Sequence, residues 1–274
     1  RYPVEVGLVG HAKETLAHLL PRLTHHENRS FLEAGQKRMR EWRELMDKLA
    51  TRYELPMKPQ VVGREVGKLL GDDAIFISDS GTIATWFARY LPFRYGQMCS
   101  LSGNLATMAC GLPYAIAAQV AYPNRQVVAL VGDGGFSMLM AEYVTAVKYK
   151  LPIKIVIFKN NSLGQIKWEQ IAFLGNPEYE CDLHPIDFVK FAQACGGRGY
   201  RIEDPRQCAA QLAEALADPG PVVIEAVVDP NEPPMPATAS FEDAVNLAKS
   251  VMRGTPGGVE IAKHILSDKA RELV

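Results

Sequence analysis

The sequence has few cysteines, almost no net charge and no long hydrophobic run. Its five cysteines are widely spaced and form no Cys-x-x-Cys pair, which argues against a zinc site or a disulfide framework. The formal net charge of −1 gives no electrostatic basis for binding nucleic acid. No apolar run reaches the roughly 18 residues of a membrane span, and the first residues lack a signal-peptide pattern. These absences favour a cytoplasmic protein with reduced thiols.

The N-terminal residues predict a small piece of a different domain. A strand is predicted over residues 4–10 and a helix over residues 12–20. Because one strand and one helix have no sheet of their own, residues 1–22 are interpreted as the remnant of an upstream α/β domain. The chain is therefore expected to be a fragment of a longer protein. Residues 23–58 form a helical connector in this interpretation, with a long amphipathic helix over residues 23–55.

The main domain is predicted to span residues 59–229, because strand-like and helical patterns alternate along it. With 274 residues, 47% of them hydrophobic, the chain can bury a full core. The alternation predicts an α/β fold with a doubly wound, mainly parallel sheet and helices on both faces. Residues 230–274 follow as a proline-rich exit and two C-terminal helices, near residues 241–253 and 259–273. The predicted strands cover residues 74–78, 97–101, 127–131, 153–158, 199–202 and 222–228, and a helix is predicted over residues 137–150.

One βα unit carries the strongest functional signal. The apolar strand over residues 127–131 ends at Gly132-Asp133-Gly134-Gly135, and the next strand ends at Asn160-Asn161. A strand, a helix of about three turns and a return strand account for the spacing between Asp133 and Asn160. The carboxyl ends of parallel strands meet at one edge of a sheet, where ligands of open α/β sheets bind. We therefore expect these two side chains to converge.

The residue types at this corner predict a metal-bridged diphosphate site. A carboxylate and an amide oxygen suit Mg²⁺ or Ca²⁺, while the glycine-rich turn and the following helix, predicted to start near Ser137, suit an anion. A tight βα turn, with Asp133 as a helix cap and Asn160 in a loop, is the plain structural alternative. The functional alternative is a non-catalytic nucleotide-binding or assembly domain that uses the same turn.

The pattern resembles the thiamine diphosphate motif, in which GDG is followed some two dozen residues later by NN. From about Val4 to Pro236 the chain is similar to the C-terminal half of the pyruvate oxidase branch of thiamine-dependent enzymes, which includes quinone-linked pyruvate dehydrogenase. The similarity is highest over residues 79–92, 103–119 and 132–142. It implies oxidative decarboxylation of pyruvate, with electrons passing through FAD to oxygen or a quinone. An acetolactate synthase-type carboligase is the alternative within the family.

The resemblance also implies a set of site residues. Lys159 stands where many relatives carry the first Asn of the pair, so Asn160 is aligned as the metal ligand by its distance from Asp133. Met108 takes the position that bends the cofactor between its rings, although a Met in this context is more often a core residue. Asp79 could equally be the N-cap of the next helix, with Gly81 as a turn residue. The metal ligands are Asp133, Asn160 and the Ser162 carbonyl, and the cofactor-binding residues are Gly81, Thr82, Ala106, Met108, Gly132, Asp133, Gly134, Gly135, Asn160, Ser162, Leu163, Gly164 and Gln165.

The same resemblance places the catalytic centre partly outside this sequence. The glutamate that activates the cofactor is expected on an N-terminal domain and reaches the site across a dimer interface, so no catalytic residue is assigned here. The chain alone is expected to bind thiamine diphosphate and Mg²⁺ without turning over substrate. A small 2-oxo acid, with pyruvate favoured, is the expected substrate of a homodimer or tetramer, and FAD contacts are expected outside this chain. The last helix resembles a peripheral membrane helix of quinone-linked relatives, but its modest apolar face favours packing on protein.

Overall fold

The computed structural model describes residues 3–234 and 241–272, and it groups the chain into two compact units, Arg1–Glu44 and Leu45–Val274. The first unit contains helix α1, Ala12–Leu19, a short 3₁₀ turn at Leu20–Arg22, and the beginning of helix α2, Ser30–Leu49. The strand predicted over residues 4–10 is wrong. Val4 and Val9 are exposed, and no described strand pairs with this stretch, so its backbone lacks the partner that a strand needs.

Six strands in the described part of the chain form one sheet, and every pairing between them is parallel. The spatial order is β2-β1-β3-β4-β6-β5. The chain adds β2 on one side of β1 and the later strands on the other, so the order of the strands reverses between β1 and β3. This confirms the predicted doubly wound α/β fold. The strands are β1 (Ile75–Ser78), β2 (Met98–Ser100), β3 (Val127–Gly132), β4 (Lys154–Lys159), β5 (Arg198–Ile202) and β6 (Val222–Val227).

The central strands are apolar because both of their faces are covered. β3 and β4 are buried along almost their whole length, and their β-branched side chains fit the pleated surface of a sheet. Helices after β2, β3 and β4 cover one face, where their side chains share a core with those of β1, β3 and β4. The remaining helices of the main domain are α3 (Pro59–Leu69), α4 (Thr82–Tyr90), α5 (Gly111–Ala121), α6 (Asp133–Leu139), α7 (Tyr143–Lys148), α8 (Gly164–Trp168), α9 (Phe188–Ala194) and α10 (Cys208–Ala217).

Two predicted helices differ from the observed ones: the connector helix predicted over residues 23–55 covers only Ser30–Leu49, and the helix predicted over residues 137–150 is divided. The helix expected to start near Ser137 starts at Asp133, so the double glycine is helical, and a 3₁₀ turn at Met140–Glu142 separates α6 from α7. Glycine accepts helical dihedrals, and the Asp133 carboxylate satisfies the N–H of Gly134 at 2.9 Å, which replaces the turn that was expected. Helix α9 starts at Phe188, where the Asp187 side chain caps it by accepting the Lys190 N–H at 2.9 Å.

The two predicted C-terminal helices are present as α11, Phe241–Met252, and α12, Gly258–Glu272. Ile261 of α12 is fully buried and packs with Trp168 and Ile171 of the main domain. Residues 235 and 236 of the predicted proline-rich exit, and the last residue of the second predicted helix, lie outside the described residues. Among the residues that the structure describes, no helix combines the length and the apolar character of a membrane span.

Candidate functional site

A cavity of about 270 Å³ opens at the carboxyl ends of β1, β3 and β4. The sheet order reverses between β1 and β3, and open α/β sheets bind ligands in the crevice that such a reversal creates. The walls come from the segments that follow these strands and from the loop that precedes α5. The position of the cavity therefore follows from the topology.

All of the residues predicted to hold the cofactor line this one cavity. They come from four separate segments of the chain, which the fold brings together at one edge of the sheet. Their proximity is a finding, whereas the ligand that each of them contacts stays a prediction. The lining residues that the sequence pointed to are Gly81, Thr82, Ala106, Met108, Gly132, Asp133, Gly134, Gly135, Asn160, Ser162, Leu163, Gly164 and Gln165.

Asp133 and Asn160 converge as their spacing predicted. One carboxylate oxygen of Asp133, Oδ2, accepts the backbone N–H of Asn160 at 3.1 Å and that of Asn161 at 2.6 Å. The other oxygen accepts the N–H of Gly134. Burial raises the pKa of Asp133, although these three backbone N–H groups oppose the shift. The result is a buried carboxylate at a fixed position on the cavity wall.

The loop after β4 is held in a defined shape. The Asn160 side-chain oxygen accepts the N–H of Ser162 at 3.0 Å, and Asn161 adopts a left-handed backbone with φ of 54°. An isolated antiparallel bridge joins Ser162 to Asp182 and holds the loop from the other side. The buried hydroxyl of Ser162 has no hydrogen-bond partner within the described ranges, so it is available to a ligand.

Met108 lies in a loop before α5 and faces the double glycine. A Cβ placed on Gly134 would lie 3.5 Å from Met108 Cε, 3.2 Å from Leu163 and 3.1 Å from Leu183. Any side chain at position 134 would crowd Leu163 and Leu183 and would touch Met108, so glycine keeps the cavity open. Ala106 of the same loop has a left-handed backbone with φ of 53°, an uncommon conformation for alanine.

The first turn of α4 forms the opposite wall. Gly81 precedes the helix with φ of 102° and ψ of −159°, a region that glycine alone enters readily. The helix start has no side-chain cap, so its first N–H groups can serve an anionic ligand. A Cβ on Gly164 would lie 3.3 Å from the Thr82 methyl, which shows that α4 and α8 begin close together. Asp79 is not the cap of α4, because its carboxylate accepts hydrogen bonds from Ala109 and Cys110.

The sequence reasoning missed several residues of the cavity wall. Trp86 and Trp168 line it, and each lies one helical turn after a predicted residue, which was a usable signal. Ser80 also lines it, with a buried hydroxyl that has no partner among the described residues. The far wall contains Asp229 and Glu232, which follow β6.

A buried ion-pair cluster lies at this far wall. The Lys58 ammonium lies 2.5 Å from Asp229 Oδ2 and 3.1 Å from Glu232 Oε2, and also 3.2 Å from His264 Nε2. Asp229, Glu232 and His264 present atoms close enough together to hold a metal ion. Because Lys58 already places a cation among them, this cluster is an ion-pair network and not a metal site.

The donor set at the predicted site fits a hydrated divalent cation that also binds phosphate. Asp133 offers a carboxylate, Asn160 offers an amide oxygen, and hard oxygen ligands of this kind suit Mg²⁺. Ser162 adds a hydroxyl without a partner, and the cavity floor at Gly134 carries no side chain. The residues present therefore fit a Mg²⁺-bound diphosphate.

Comparison with known proteins supports the same assignment. The profile of the family described as "Thiamine pyrophosphate enzyme, C-terminal TPP binding domain" matches residues 79–226. A Bacillus subtilis protein described as thiamine pyrophosphate-containing, YdaP, is 39% identical over 92% of this chain and 44% of its own length. Pyruvate oxidase of Lactiplantibacillus plantarum is 34% identical over 86% of this chain and 40% of its own length. The large subunit of acetolactate synthase of Porphyra purpurea is 33% identical over 92% of this chain and 43% of its own length.

The chain thus spans less than half the length of each of these relatives. The matched region begins at Asp79, just after β1, and ends within β6, so it contains the cavity wall on β3 and β4. The chain belongs to the thiamine pyrophosphate enzymes, through their C-terminal TPP-binding domain.

Proposed function

We propose that this chain is the cofactor-anchoring part of a Mg²⁺- and thiamine diphosphate-dependent enzyme that oxidatively decarboxylates pyruvate. The observation that carries the proposal is the placement of Asp133 and Asn160, which hydrogen bond at the wall of a cavity lined by every predicted cofactor residue. When bound, thiamine diphosphate supplies the electron sink for cleaving the bond next to the keto group of a 2-oxo acid.

The residues of this chain serve to bind and orient the cofactor. Asp133, Asn160 and the Ser162 carbonyl would hold Mg²⁺, and the backbone around Gly134 and Gly135 would approach the diphosphate. Met108 supports the ring portion, because an apolar thioether suits rings better than charged oxygens. The remaining predicted residues line the same cavity and would enclose the ligand. Gly81 and Thr82 would form one wall, Leu163, Gly164 and Gln165 would cover the diphosphate, and the Ala106 carbonyl would serve the ring.

Pyruvate is the proposed substrate, because one relative is named pyruvate oxidase. In this proposal the residues that bind FAD would lie outside this chain, and FAD would supply the redox chemistry that links the reaction to oxygen or a quinone. Formation of acetolactate is the second candidate, since acetolactate synthases are as similar to the chain as the oxidase is. The full-length cytoplasmic enzyme would produce acetate with reduction of an electron acceptor in the first case and acetolactate in the second.

The activating glutamate of the proposed enzyme lies on another domain and reaches the cavity in a homodimer or tetramer. No residue of this chain is assigned to that step. The purified 274-residue chain is therefore expected to bind the cofactor and to leave pyruvate unchanged. Turnover of pyruvate by the chain without a partner would contradict this assignment.

Calorimetry tests the cofactor assignment directly. The purified chain is titrated with thiamine diphosphate in the presence of Mg²⁺ and again with EDTA, and then with ATP and with NAD. We expect Mg²⁺-dependent binding of thiamine diphosphate, accompanied by a change in tryptophan fluorescence, because Trp86 and Trp168 line the cavity. Tighter binding of ATP or NAD would favour a nucleotide-binding domain and overturn the proposal.

A further inference from the structure

We infer that Asp79 is a positioning residue that sets the place of Met108 in the cavity. The inference rests on the proposed function, because it concerns how the ring portion of thiamine diphosphate is held. Asp79 is the first residue after β1, and its side chain is fully buried. It does not line the cavity itself, so any effect on the ligand must pass through other residues.

Both oxygens of the Asp79 carboxylate are used by the two residues that follow Met108. Oδ2 accepts the backbone N–H of Ala109 at 2.9 Å, and Oδ1 accepts that of Cys110 at 3.0 Å. The thiol of Cys110 also lies 3.3 Å from Oδ1. Hydrogen bonds to a charged acceptor are stronger than those between neutral groups. The carboxylate therefore fixes the backbone immediately after Met108.

The double glycine makes room for this carboxylate. A Cβ on Gly135 would overlap Asp79 Oδ2 and would lie 3.6 Å from the Ala109 nitrogen. Asp79 thus fills the space between the first turn of α6 and the Met108 loop. The same turn carries Asp133 and Gly134. The buried Asp79 side chain therefore lies between the Met108 loop and the turn that forms the predicted metal and diphosphate site.

The Met108 loop needs such an anchor because its backbone is unfavourable. Ala106 and Ala109 both have left-handed backbones, with φ of 53° and 71°. Residues other than glycine adopt this region at a cost, and they stay there only where surrounding contacts hold them. The Asp79 carboxylate supplies contacts of this kind at Ala109. Without them the loop can relax, and Met108 moves with it.

Asparagine at position 79 is a sharp probe of this role. It has almost the same shape as aspartate but offers one accepting oxygen, so its amide group would face one of the two N–H donors. The diphosphate and metal contacts through Asp133 and Asn160 would be unchanged. Asp79→Asn should therefore weaken binding of the whole cofactor, whose rings contact Met108, without weakening binding of the diphosphate alone.

The experiment compares two ligands on the 274-residue chain by calorimetry, thiamine diphosphate with Mg²⁺ and inorganic pyrophosphate with Mg²⁺. For Asp79→Asn we expect at least a tenfold loss of affinity for thiamine diphosphate and less than a twofold loss for pyrophosphate. Met108→Ala should produce the same split, and Asp79→Asn should add less than twofold in the Met108→Ala background. Asp72→Asn, at an exposed position outside the cavity lining, should change neither affinity.

Equal losses for both ligands would identify Asp79 as a general structural residue and overturn the inference. Unchanged affinity for thiamine diphosphate in Asp79→Asn would also overturn it and would leave the proposed function standing. A wild-type chain that binds pyrophosphate but not thiamine diphosphate would overturn both. If Asp79→Asn does not fold, Asp79→Glu takes its place, because the longer side chain keeps both acceptors but moves the loop. The same split is then expected.

Discussion

The carboxylate of Asp133 accepts a hydrogen bond from the backbone N–H of Asn160, a residue 27 positions further along the chain, at 3.1 Å. The contact joins the end of β3 to the end of β4, and these strands are neighbours in the sheet. A loop that leaves a buried strand could turn in many directions. Here a buried carboxylate fixes that direction, so the oxygens proposed to bind the metal are placed before any ligand arrives.

Replacing Asp133 by asparagine is predicted to remove most of the affinity for the Mg²⁺ complex of thiamine diphosphate. The substitution deletes the negative charge beside the cation and one of the two accepting oxygens. We expect affinity to fall by roughly a factor of ten or more, the scale seen when a metal site loses even a supporting group. Calorimetry with and without Mg²⁺ measures the change.

The matched control for this prediction is Asp72→Asn, which makes the same chemical change at an exposed carboxylate. It should bind like the wild type. An Asp133→Asn variant that kept both its affinity and its dependence on Mg²⁺ would show that Asp133 is only a structural carboxylate.

Gly135→Ala is predicted to destabilise the main domain. The added methyl would overlap Asp79 Oδ2, and a buried carboxylate with two backbone donors cannot move freely. Overpacking of this kind lowers the free energy of unfolding by about 1–3 kcal/mol. Urea unfolding followed by tryptophan fluorescence gives the value.

Gly71→Ala is the control for that substitution. The nearest atoms to its added Cβ, on Asp73 and Gln126, lie at 3.6 Å, an ordinary contact distance. Its effect should stay within about 0.5 kcal/mol. Equal unfolding midpoints for Gly135→Ala and the wild type would mean that Asp79 can move away, contrary to its proposed role.

The sequence predicted the sheet and the convergence of Asp133 with Asn160 because both depend on local patterns. Buried parallel strands are short apolar runs, and a βαβ unit has a nearly fixed length, so the separation of Asp133 and Asn160 was enough to place them together. The strand predicted at residues 4–10 is wrong because a strand also depends on a distant partner. Alternating apolar residues form a strand only if another strand lies beside them, and the local sequence pattern carries no information about that partner.

Side-chain contacts between distant segments could not be predicted. Asp79 looked like a helix cap because aspartate before a glycine and a helix often is one. Its carboxylate instead reaches Ala109 and Cys110, 30 and 31 residues away. Likewise, Lys58 pairs with Asp229, 171 residues away, and nothing near either residue indicates the other. Such pairs depend on how the helices pack on the sheet.

The cysteines are predicted to react with iodoacetamide at very different rates. Cys99 is exposed, whereas Cys110 and Cys208 are buried. Burial raises the pKa of Cys110 to about 11 and that of Cys208 to about 12. Since the thiolate is the nucleophile, about one in a thousand Cys110 thiols would be ionised at pH 8 even if reagent reached it.

Mass spectrometry of peptides after brief labelling at pH 8 tests this order. Cys99 should be modified in the folded protein, and Cys110 and Cys208 only after unfolding in urea. Labelling of Cys110 as fast as that of Cys99 would mean that the loop around Met108 opens readily, and the proposed anchoring by Asp79 would then be too weak to matter.

Lys154 is predicted to make stability depend on pH above neutrality. Its buried ammonium donates to three backbone carbonyls, those of Pro152 at 3.1 Å, Asp218 at 2.6 Å and Gly220 at 2.6 Å. Burial lowers the pKa of Lys154 from 10.5 to about 8. Between these two values the unfolded chain holds a proton that the folded chain has released, so the free energy of unfolding should rise with pH across this range.

Comparison of the wild type with Lys154→Met isolates this contribution, because the variant lacks the titrating group. As the pH rises from 8 to 10.5, the free energy of unfolding of the wild type should increase by roughly 1–3 kcal/mol relative to that of Lys154→Met. This is the order expected from 1.36 kcal/mol per pKa unit. Below pH 8 the lysine is charged in both states, and the difference should be constant. Urea unfolding at a series of pH values measures it, with Lys148→Met, at an exposed position, as the control. A difference that stays flat from pH 8 to 10.5, as it should for Lys148→Met, would mean that the three carbonyls compensate for burial and keep Lys154 charged throughout.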